Sequence, residues 1–228
     1  MTSLFIVATP IGNLGDVTYR AIQVLSEVDF VLCEDTRKTK IMLDKYEIKK
    51  PLVVYHQQSA PGQIKKIIEK IDNSQKAALV TEAGTPGISD PGNELIARIK
   101  EKLGEKVEFI PIPGTCALTA LASVAGINMN KFIFLGFPPN KKGRNKFFRE
   151  LIELNLPVIY YDSPYRVIKN LKLLQEISEE KEISKKIILG RELTKIHEQI
   201  KKGAPEEIIK YFEENKDKIK GEFVLIVY

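Results

Sequence analysis

Three times, this chain follows a short apolar segment with a Gly/Pro-rich turn and then with a helical pattern, at residues 4–22, 76–97 and 107–121. Such strand–turn–helix units build open α/β sheets, and the carboxyl ends of parallel strands meet at one edge of the sheet, where these folds bind ligands. We therefore expect the three turns to lie together and to form a ligand site.

The three turns lack the motifs that bind phosphate. Gly12 and Gly15 are separated by two residues and no third glycine follows, so the dinucleotide fingerprint is absent, as is the Gly-Lys-Ser/Thr ending of a P-loop. We expect a ligand held by backbone groups and apolar contacts, with Gly84 in the second turn close to it. Alternatively, Gly and Pro are present only because they make tight turns. This explanation is sufficient for one such turn but less convincing for three.

Strand-like and helix-like segments alternate through the first half of the chain, which is typical of a parallel sheet covered on both faces. We predict the α/β class, with a mainly parallel sheet in the N-terminal part. Strands are expected at residues 4–8, 30–34, 52–55, 77–81 and 107–110. Helices are expected at residues 18–27, 38–46, 63–71, 94–103 and 117–125.

A second α/β unit follows the small-residue helix near residues 117–125. A chain of 228 residues is long enough for two domains that each bury a core, and we predict domains over residues 1–115 and 116–228. In the second domain, strands are expected at residues 132–136, 158–161, 187–191 and 223–227, and helices at residues 166–177 and 205–214.

The composition is that of a cytoplasmic enzyme. Apolar residues make up 43% and charged residues 29% of the chain, and no apolar run reaches the roughly 18 residues that a membrane span needs. The two cysteines, Cys33 and Cys116, lie far apart, and only two histidines are present. The usual zinc ligand sets cannot be assembled from these residues, so we expect neither a metal nor a disulfide.

Positive charge is concentrated in the second half. Residues 1–113 carry 15 basic and 15 acidic residues, whereas residues 114–228 carry 20 and 15. Residues 140–149 hold five basic residues beside Phe147 and Phe148, a combination that suits RNA phosphates and unstacked bases. The alternative is a solvated helix start whose Phe pair faces the core. The candidate RNA contacts are Lys141, Lys142, Arg144 and Lys146.

Several motifs together resemble the S-adenosylmethionine-dependent tetrapyrrole methylase superfamily. They read VATPIGNLGDVTYRAI, CEDTRKTKIML, EAGTPGISDPG, PIPGTCALTAL, FLGFPP, YDSPYRV and GRELTKIHE, in this order. Within the superfamily they are similar to enzymes that methylate the ribose 2′-oxygen of a cytidine in small-subunit (16S) ribosomal RNA. The resemblance implies two α/β domains with a cofactor cleft between them, a homodimer, and ribosomal RNA or the small ribosomal subunit as partner.

The same resemblance implies contacts to the cofactor S-adenosylmethionine and to RNA. The GRELTK segment supplies Arg191, Glu192 and Lys195 as candidate substrate contacts. The cofactor contacts carried over from the superfamily fall on Pro10, Thr85, Ile88, Cys116, Ala117, Tyr161, Leu193 and Gly221.

A ribose 2′-hydroxyl needs a nearby proton acceptor before it can attack a methyl group. Carboxylates that follow predicted strands can supply one, namely Glu34, Asp35, Glu82 and Glu192. Our first candidate for the proton acceptor is Asp35, with Arg37 as its orienting or phosphate-binding partner. Glu82 is a further catalytic candidate. Alternatively, Asp35 caps the helix that follows it.

Two other functions remain open at this point. One is a methylase of the same fold that acts on a small tetrapyrrole-type molecule. The CEDTR and GRELTK segments argue against this function. The other is a non-catalytic RNA-binding or ribosome-assembly factor, which would not need to bind the cofactor.

Overall fold

The computed structural model describes all 228 residues, which divide into two compact units, Met1–Cys116 and Ala117–Tyr228. The first unit alternates strands and helices. Its strands are β1 (Thr2–Val7), β2 (Phe30–Cys33), β3 (Leu52–Val54), β4 (Lys76–Leu79) and β5 (Val107–Ile112). Its helices are α1 (Tyr19–Glu27), α2 (Thr36–Lys45), α3 (Pro61–Asp72) and α4 (Asn93–Leu103). All five predicted strands of this unit are confirmed, as are its four helices.

The first unit holds a five-stranded sheet in the order β3-β2-β4-β1-β5, and every pair in it is parallel. The predicted parallel sheet is therefore confirmed. Alternate residues of β2 show how both faces are covered. Phe30 and Leu32 pack with α3 and α4, whereas Val31 and Cys33 pack with α1 and α2 on the opposite face.

The crossovers change direction between β1 and β4. These strands are neighbours, yet the chain leaves β1 through α1 on one face of the sheet and leaves β4 through α4 on the other. Loops that diverge in this way leave a crevice at the carboxyl end of the sheet, which is the usual ligand position in open α/β folds.

The second unit also combines helices with a five-stranded sheet. Its helices are α5 (Ala117–Ser123), α6 (Arg144–Glu153), α7 (Val167–Glu180) and α8 (Pro205–Glu214). Its strands are β6 (Ile133–Phe134), β7 (Val158–Asp162), β8 (Ile187–Arg191), β9 (Gln199–Gly203) and β10 (Phe223–Val227). The order is β6-β7-β10-β8-β9, and only β6 and β7 run parallel.

One strand of the second unit was not predicted, and one helix was anticipated only by the alternative interpretation of the basic segment. Strand β9 is an edge strand of sequence QIKKG that pairs only with β8. Its polar composition gives no apolar pattern from which a strand could be predicted. Lysines are nevertheless common on edge strands because they discourage pairing with other chains. Helix α6 begins inside the basic segment at Arg144, after Gly143 in a left-handed conformation with φ +90°.

No helix combines the length and the apolar character needed to cross a membrane. The structure contains no group of three or more His, Cys, Asp or Glu residues that could hold a metal ion.

Candidate active site

Hydrogen bonds join the three Gly/Pro turns of the first unit at the carboxyl edge of its sheet. After β1, Thr9 exchanges backbone hydrogen bonds of 2.8 and 2.9 Å with Gly84, which follows β4. The Thr115 hydroxyl, after β5, donates to the carbonyl of Thr9. The Thr85 hydroxyl donates to the carbonyl of Thr115 at 3.1 Å. The expectation that the turns lie together is confirmed.

Glycine is required in these turns for two different reasons. Gly84 has φ +80°, a conformation that L side chains rarely adopt, while an added Cβ there would meet only ordinary contacts. Its backbone conformation, rather than lack of space, therefore requires glycine. At Gly114 an added Cβ would lie 3.0 Å from the Cβ of Ala8, so there the close approach of the turn after β5 to the end of β1 favours glycine.

Five candidate cofactor residues lie on these turns of the first unit. Pro10 and Gly84 are buried, Thr85 and Cys116 are half-buried, and Ile88 is 42% exposed. The edge therefore presents mainly backbone and apolar groups beside the crevice between β1 and β4. This composition agrees with a ligand held without a phosphate-binding loop.

Asp35 caps helix α2. Its carboxylate accepts the backbone N–H of Arg37 at 2.8 Å and also binds the Arg37 side chain, from Nε at 3.1 Å and from Nη2 at 2.8 Å. The hydrogen bonds from the Arg37 side chain and backbone hold the pKa of Asp35 well below its usual range. The helix-cap alternative is confirmed, and a carboxylate held in this way is a weak proton acceptor.

Glu34, the residue before this cap, has a different environment. Its half-buried carboxylate accepts the backbone N–H of Glu82 at 3.3 Å, at the start of the turn after β4. Burial raises the pKa of Glu34, and the negative charge of Glu82 acts in the same direction. Glu82 itself forms an ion pair with Lys38. Because its pKa is raised and that of Asp35 is lowered, Glu34 is better suited than Asp35 to accept a proton.

In the second unit, the segment after β8 is a tightly held loop. Glu192 and Thr194 have φ values of +50° and +66°. Backbone strain of this kind in residues other than glycine is concentrated at functional sites. Arg191 is buried, and its guanidinium donates to the carbonyls of Lys220 and His197 at 3.3 and 3.0 Å.

Two neighbours bind the carboxylate of Glu192. Its carboxylate accepts Lys195 Nζ at 2.8 Å and the backbone N–H of Glu222 at 2.9 Å. Burial alone would raise the pKa of Glu192, but these hydrogen bonds outweigh it and the pKa is lowered. A Cβ added at Gly221 would lie 2.1 Å from the Glu192 carboxylate. Gly221 is therefore needed for Glu192 to occupy its position.

The remaining candidates of the second unit lie on separate elements. Ala117 begins α5, and Leu193 is buried at 8% exposure. Tyr161 lies at the end of β7, where its ring contacts Phe134 and Phe137 at centroid distances of 5.0 and 5.5 Å.

The basic segment is divided between core and surface. Phe148 is fully buried and Phe147 packs against the same core. The alternative interpretation of this segment, a helix start whose Phe pair faces the core, is therefore confirmed for the Phe pair. Arg149 binds Glu180 with two hydrogen bonds of 2.8 and 2.6 Å. The four candidate RNA contacts surround the start of α6, with Arg144 half-buried and the others exposed, namely Lys141, Lys142 and Lys146.

Sequence reasoning missed the polar residues that follow β7. Asp162 is 2% exposed and accepts Asn170 Nδ2 at 2.7 Å, and burial raises its pKa. Arg166 donates to the Ser163 hydroxyl and to the Pro138 carbonyl, both at 3.2 Å. The YDSPYRV motif contains three of these residues, but their roles depend on contacts with α7 and with the loop after β6.

Comparison with known proteins identifies relatives over almost the whole chain. The chain is 40% identical to ribosomal RNA small subunit methyltransferase I of Thermotoga maritima, over 95% of this chain and 94% of that protein. The protein of the same name from Coprothermobacter proteolyticus is also 40% identical, over 99% and 97% of the two chains.

Solved structures and a family model give the same fold. A cobalt precorrin-4 methyltransferase superposes with a TM-score of 0.72 at 14% identity, over 98% of this chain and 94% of that one. The model of the tetrapyrrole (corrin/porphyrin) methylases matches residues 3–209. With its sequence motifs, its parallel sheet and its full-length relatives in agreement, the chain belongs to the tetrapyrrole methylase family.

Proposed function

We propose that this protein transfers a methyl group from S-adenosylmethionine to the 2′-hydroxyl of a cytidine in small-subunit ribosomal RNA. One observation carries the proposal: three hydrogen-bonded turns without phosphate motifs meet at the crevice of a chain that is 40% identical to ribosomal RNA methyltransferases. The alternatives are a small-molecule methylase and a non-catalytic RNA-binding factor.

The turns of the first unit fit the proposed cofactor. S-adenosylmethionine, when bound, supplies an electrophilic methyl group, so no metal is needed. Its neutral adenosine part requires backbone donors, acceptors and apolar contacts, which the turns holding Pro10, Thr85 and Ile88 provide. Leu193, Gly221 and Tyr161 are proposed as further contacts from the second unit.

The protein's part in the reaction is mainly alignment and proton removal. Holding reacting groups in line can supply about 7–11 kcal/mol. Glu34 lies at the tip of β2 and contacts the turn after β4, so its carboxylate lies beside the proposed cofactor turns. We assign it as acceptor of the hydroxyl proton, with the Glu82 N–H holding its carboxylate and the exposed Arg37 available to an RNA phosphate.

Two surfaces of the second unit are proposed to bind RNA. Lys141, Lys142 and the start of α6 provide positive charge, and the GRELTK loop provides Lys195 beside Glu192, with the buried Arg191 holding the loop in place. We also propose that the protein is cytoplasmic and forms a homodimer. Light scattering on the purified protein would test the homodimer.

The function is tested by mapping ribose methyl groups in ribosomal RNA from cells that lack this protein and from cells in which it is restored. We expect one cytidine of the small subunit to lose its 2′-O-methyl group and to regain it with the parent gene. A variant without cofactor binding should not restore it. Methylation that is identical in all strains would overturn the proposal.

Neutralising the basic segment should weaken RNA binding through its electrostatic part. We expect the quadruple Gln variant of Lys141, Lys142, Arg144 and Lys146 to bind RNA more weakly, and its affinity to fall less steeply with salt, because phosphate contacts release counterions. Each lost phosphate contact should reduce the slope of log affinity against log salt by about 0.7–0.9. Cofactor affinity should not change.

A matched control replaces four lysines on the outer surface of the first unit with Gln, namely Lys65, Lys66, Lys102 and Lys106. This control has the same change in net charge. If both quadruple variants reduce the salt slope equally, the effect comes from overall charge, and the segment is an ordinary solvated helix start.

A further inference from the structure

Tyr165 and Phe137 are the two most exposed aromatic side chains of the second unit. Tyr165 is 94% exposed, and Phe137 is 50% exposed although other phenylalanines of this unit, such as Phe148 and Phe212, are fully buried. Tyr165 lies in the turn between β7 and α7, and Phe137 lies in the loop after β6. Neither ring contributes to the core cluster of this unit.

Strand pairing places both residues at the same edge. Strands β6 and β7 are parallel, and the pairing continues past β6, where the Tyr161 N–H donates to the carbonyl of Gly136 at 2.9 Å. Phe137 therefore leaves the sheet beside the end of β7. Its ring packs against Tyr161 at a centroid distance of 5.5 Å, which gives it a firm support.

Arg166 joins the two loops. Its guanidinium donates to the Pro138 carbonyl at 3.2 Å and to the side chain of Asn140, next to Phe137 and to Lys141 respectively. It also donates to the Ser163 hydroxyl within its own turn. These hydrogen bonds join the turn that carries Tyr165 to the loop that carries Phe137 and leads into the basic segment.

The charge around these rings has a single sign. Residues 135–144 and 162–166 contain four basic residues and one acidic residue. That acid, Asp162, is 2% exposed, accepts hydrogen bonds from Asn170 and from the Ser163 N–H, and lies 3.9 Å from Arg166, so the positive charge of this surface comes from Lys141, Lys142 and Arg144. Exposed rings beside cationic side chains are the combination that binds unpaired nucleotides, whose bases stack while their phosphates pair.

We propose that Tyr165 and Phe137 form a stacking surface for unpaired bases of the RNA substrate, next to phosphate contacts at Lys141 and Lys142. This inference rests on the proposed function, in which RNA is the substrate, and it adds a structural requirement. The RNA must present single-stranded nucleotides here, because the bases of a duplex are stacked on each other and do not expose their faces.

The test measures binding of two RNAs that carry the same number of phosphates, a single strand and a hairpin duplex. Tyr165→Ala should weaken single-strand binding by about tenfold, the scale of one lost base stack. Tyr165→Phe should bind like the parent, since the ring is kept. Duplex binding, the salt slope and cofactor affinity should be unchanged in both variants.

Tyr19→Ala serves as the control, since Tyr19 is 84% exposed on the first unit. A single strand containing 2-aminopurine gives a direct readout: its fluorescence should be quenched on binding to the parent and to Tyr165→Phe, and less by Tyr165→Ala. This signal does not depend on methyl transfer. If quenching depends on the ring but no methyl transfer is measured, the stacking surface is supported and the proposed methyl transfer is contradicted.

Several outcomes would overturn the stacking surface. They are equal single-strand affinity for Tyr165→Ala and the parent, an equal loss on the duplex, or no single-strand binding by the parent. A change in oligomeric state in Tyr165→Ala, seen by light scattering, would instead make Tyr165 part of an interface between copies of the chain.

Discussion

Glu34→Gln is expected to lower the rate of methyl transfer by about 10²-fold or more, the usual scale for loss of a positioned base. The substitution keeps the size of the side chain and removes its ability to take a proton. Since Glu34 accepts only one backbone hydrogen bond, from Glu82, we expect the fold and the affinity for S-adenosylmethionine to be retained. The measurement is methyl transfer to small ribosomal subunits at saturating cofactor, with a melting curve.

Asp35→Asn is the matched control, because it neutralises the neighbouring carboxylate. Asn caps helices about as well as Asp, so α2 should keep its N-terminus. If Asp35→Asn loses the rate and Glu34→Gln does not, the first expectation from the sequence was right, and Asp35 with Arg37 is the acceptor. If both variants retain the parent rate, the acceptor must be sought at Glu82 or Glu192.

The pH dependence gives an independent test of the same assignment. A proton acceptor works only in its ionised form, so the rate should rise with pH through the raised pKa of Glu34. Glu82→Gln removes a negative charge that raises this pKa. The acidic limb of the pH–rate profile should therefore move to lower pH in Glu82→Gln. A limb that stays in place would show that the titrating group is not Glu34.

Gly84→Val is expected to abolish S-adenosylmethionine binding in calorimetry. A β-branched residue at φ +80° is strained by about 1–3 kcal/mol. Relief of that strain would break the Gly84–Thr9 hydrogen bonds that join the turns after β1 and β4. The expected loss comes from displaced turns, so the melting temperature should fall only modestly.

Gly62→Val is the control for this second prediction. Gly62 lies in the first turn of α3, and nothing lies within 4 Å of an added Cβ there. The control should bind the cofactor like the parent. If Gly84→Val binds the cofactor normally, the three turns are not the binding site. If the parent binds a nucleoside triphosphate and no S-adenosylmethionine, the methylase function itself is wrong.

Local patterns in the sequence determined the first unit almost completely. Each parallel strand, such as β2 with its four buried residues, is a short apolar run bounded by polar or turn residues, and the helices between them have apolar faces of regular spacing. Parallel strands need crossovers, so the alternation itself specifies a sheet whose turns meet at one edge. The position of the candidate cofactor site followed from that rule alone.

The second unit was less predictable because its sheet is mixed and its edge is polar. Strand β9 alternates half-buried and exposed residues but contains two consecutive lysines and no buried apolar residue, so only its pairing with β8 identifies it as a strand. Helix α6 was anticipated only by the alternative interpretation of the basic segment, although Phe148 and Leu151 form its buried face. In both elements the apolar pattern is short, and tertiary contacts decide the structure.

The sequence by itself determined which residue types reach the site, and the tertiary structure decided what each can do. Glu34 and Asp35 are adjacent carboxylates after one strand, and nothing in their order distinguishes an acceptor from a cap. Folding leaves Asp35 bound to Arg37 at the start of α2 and half-buries Glu34 beside Glu82. A pKa depends on burial and on charges that are distant in the chain, here 48 residues away, so only the folded structure separates these roles.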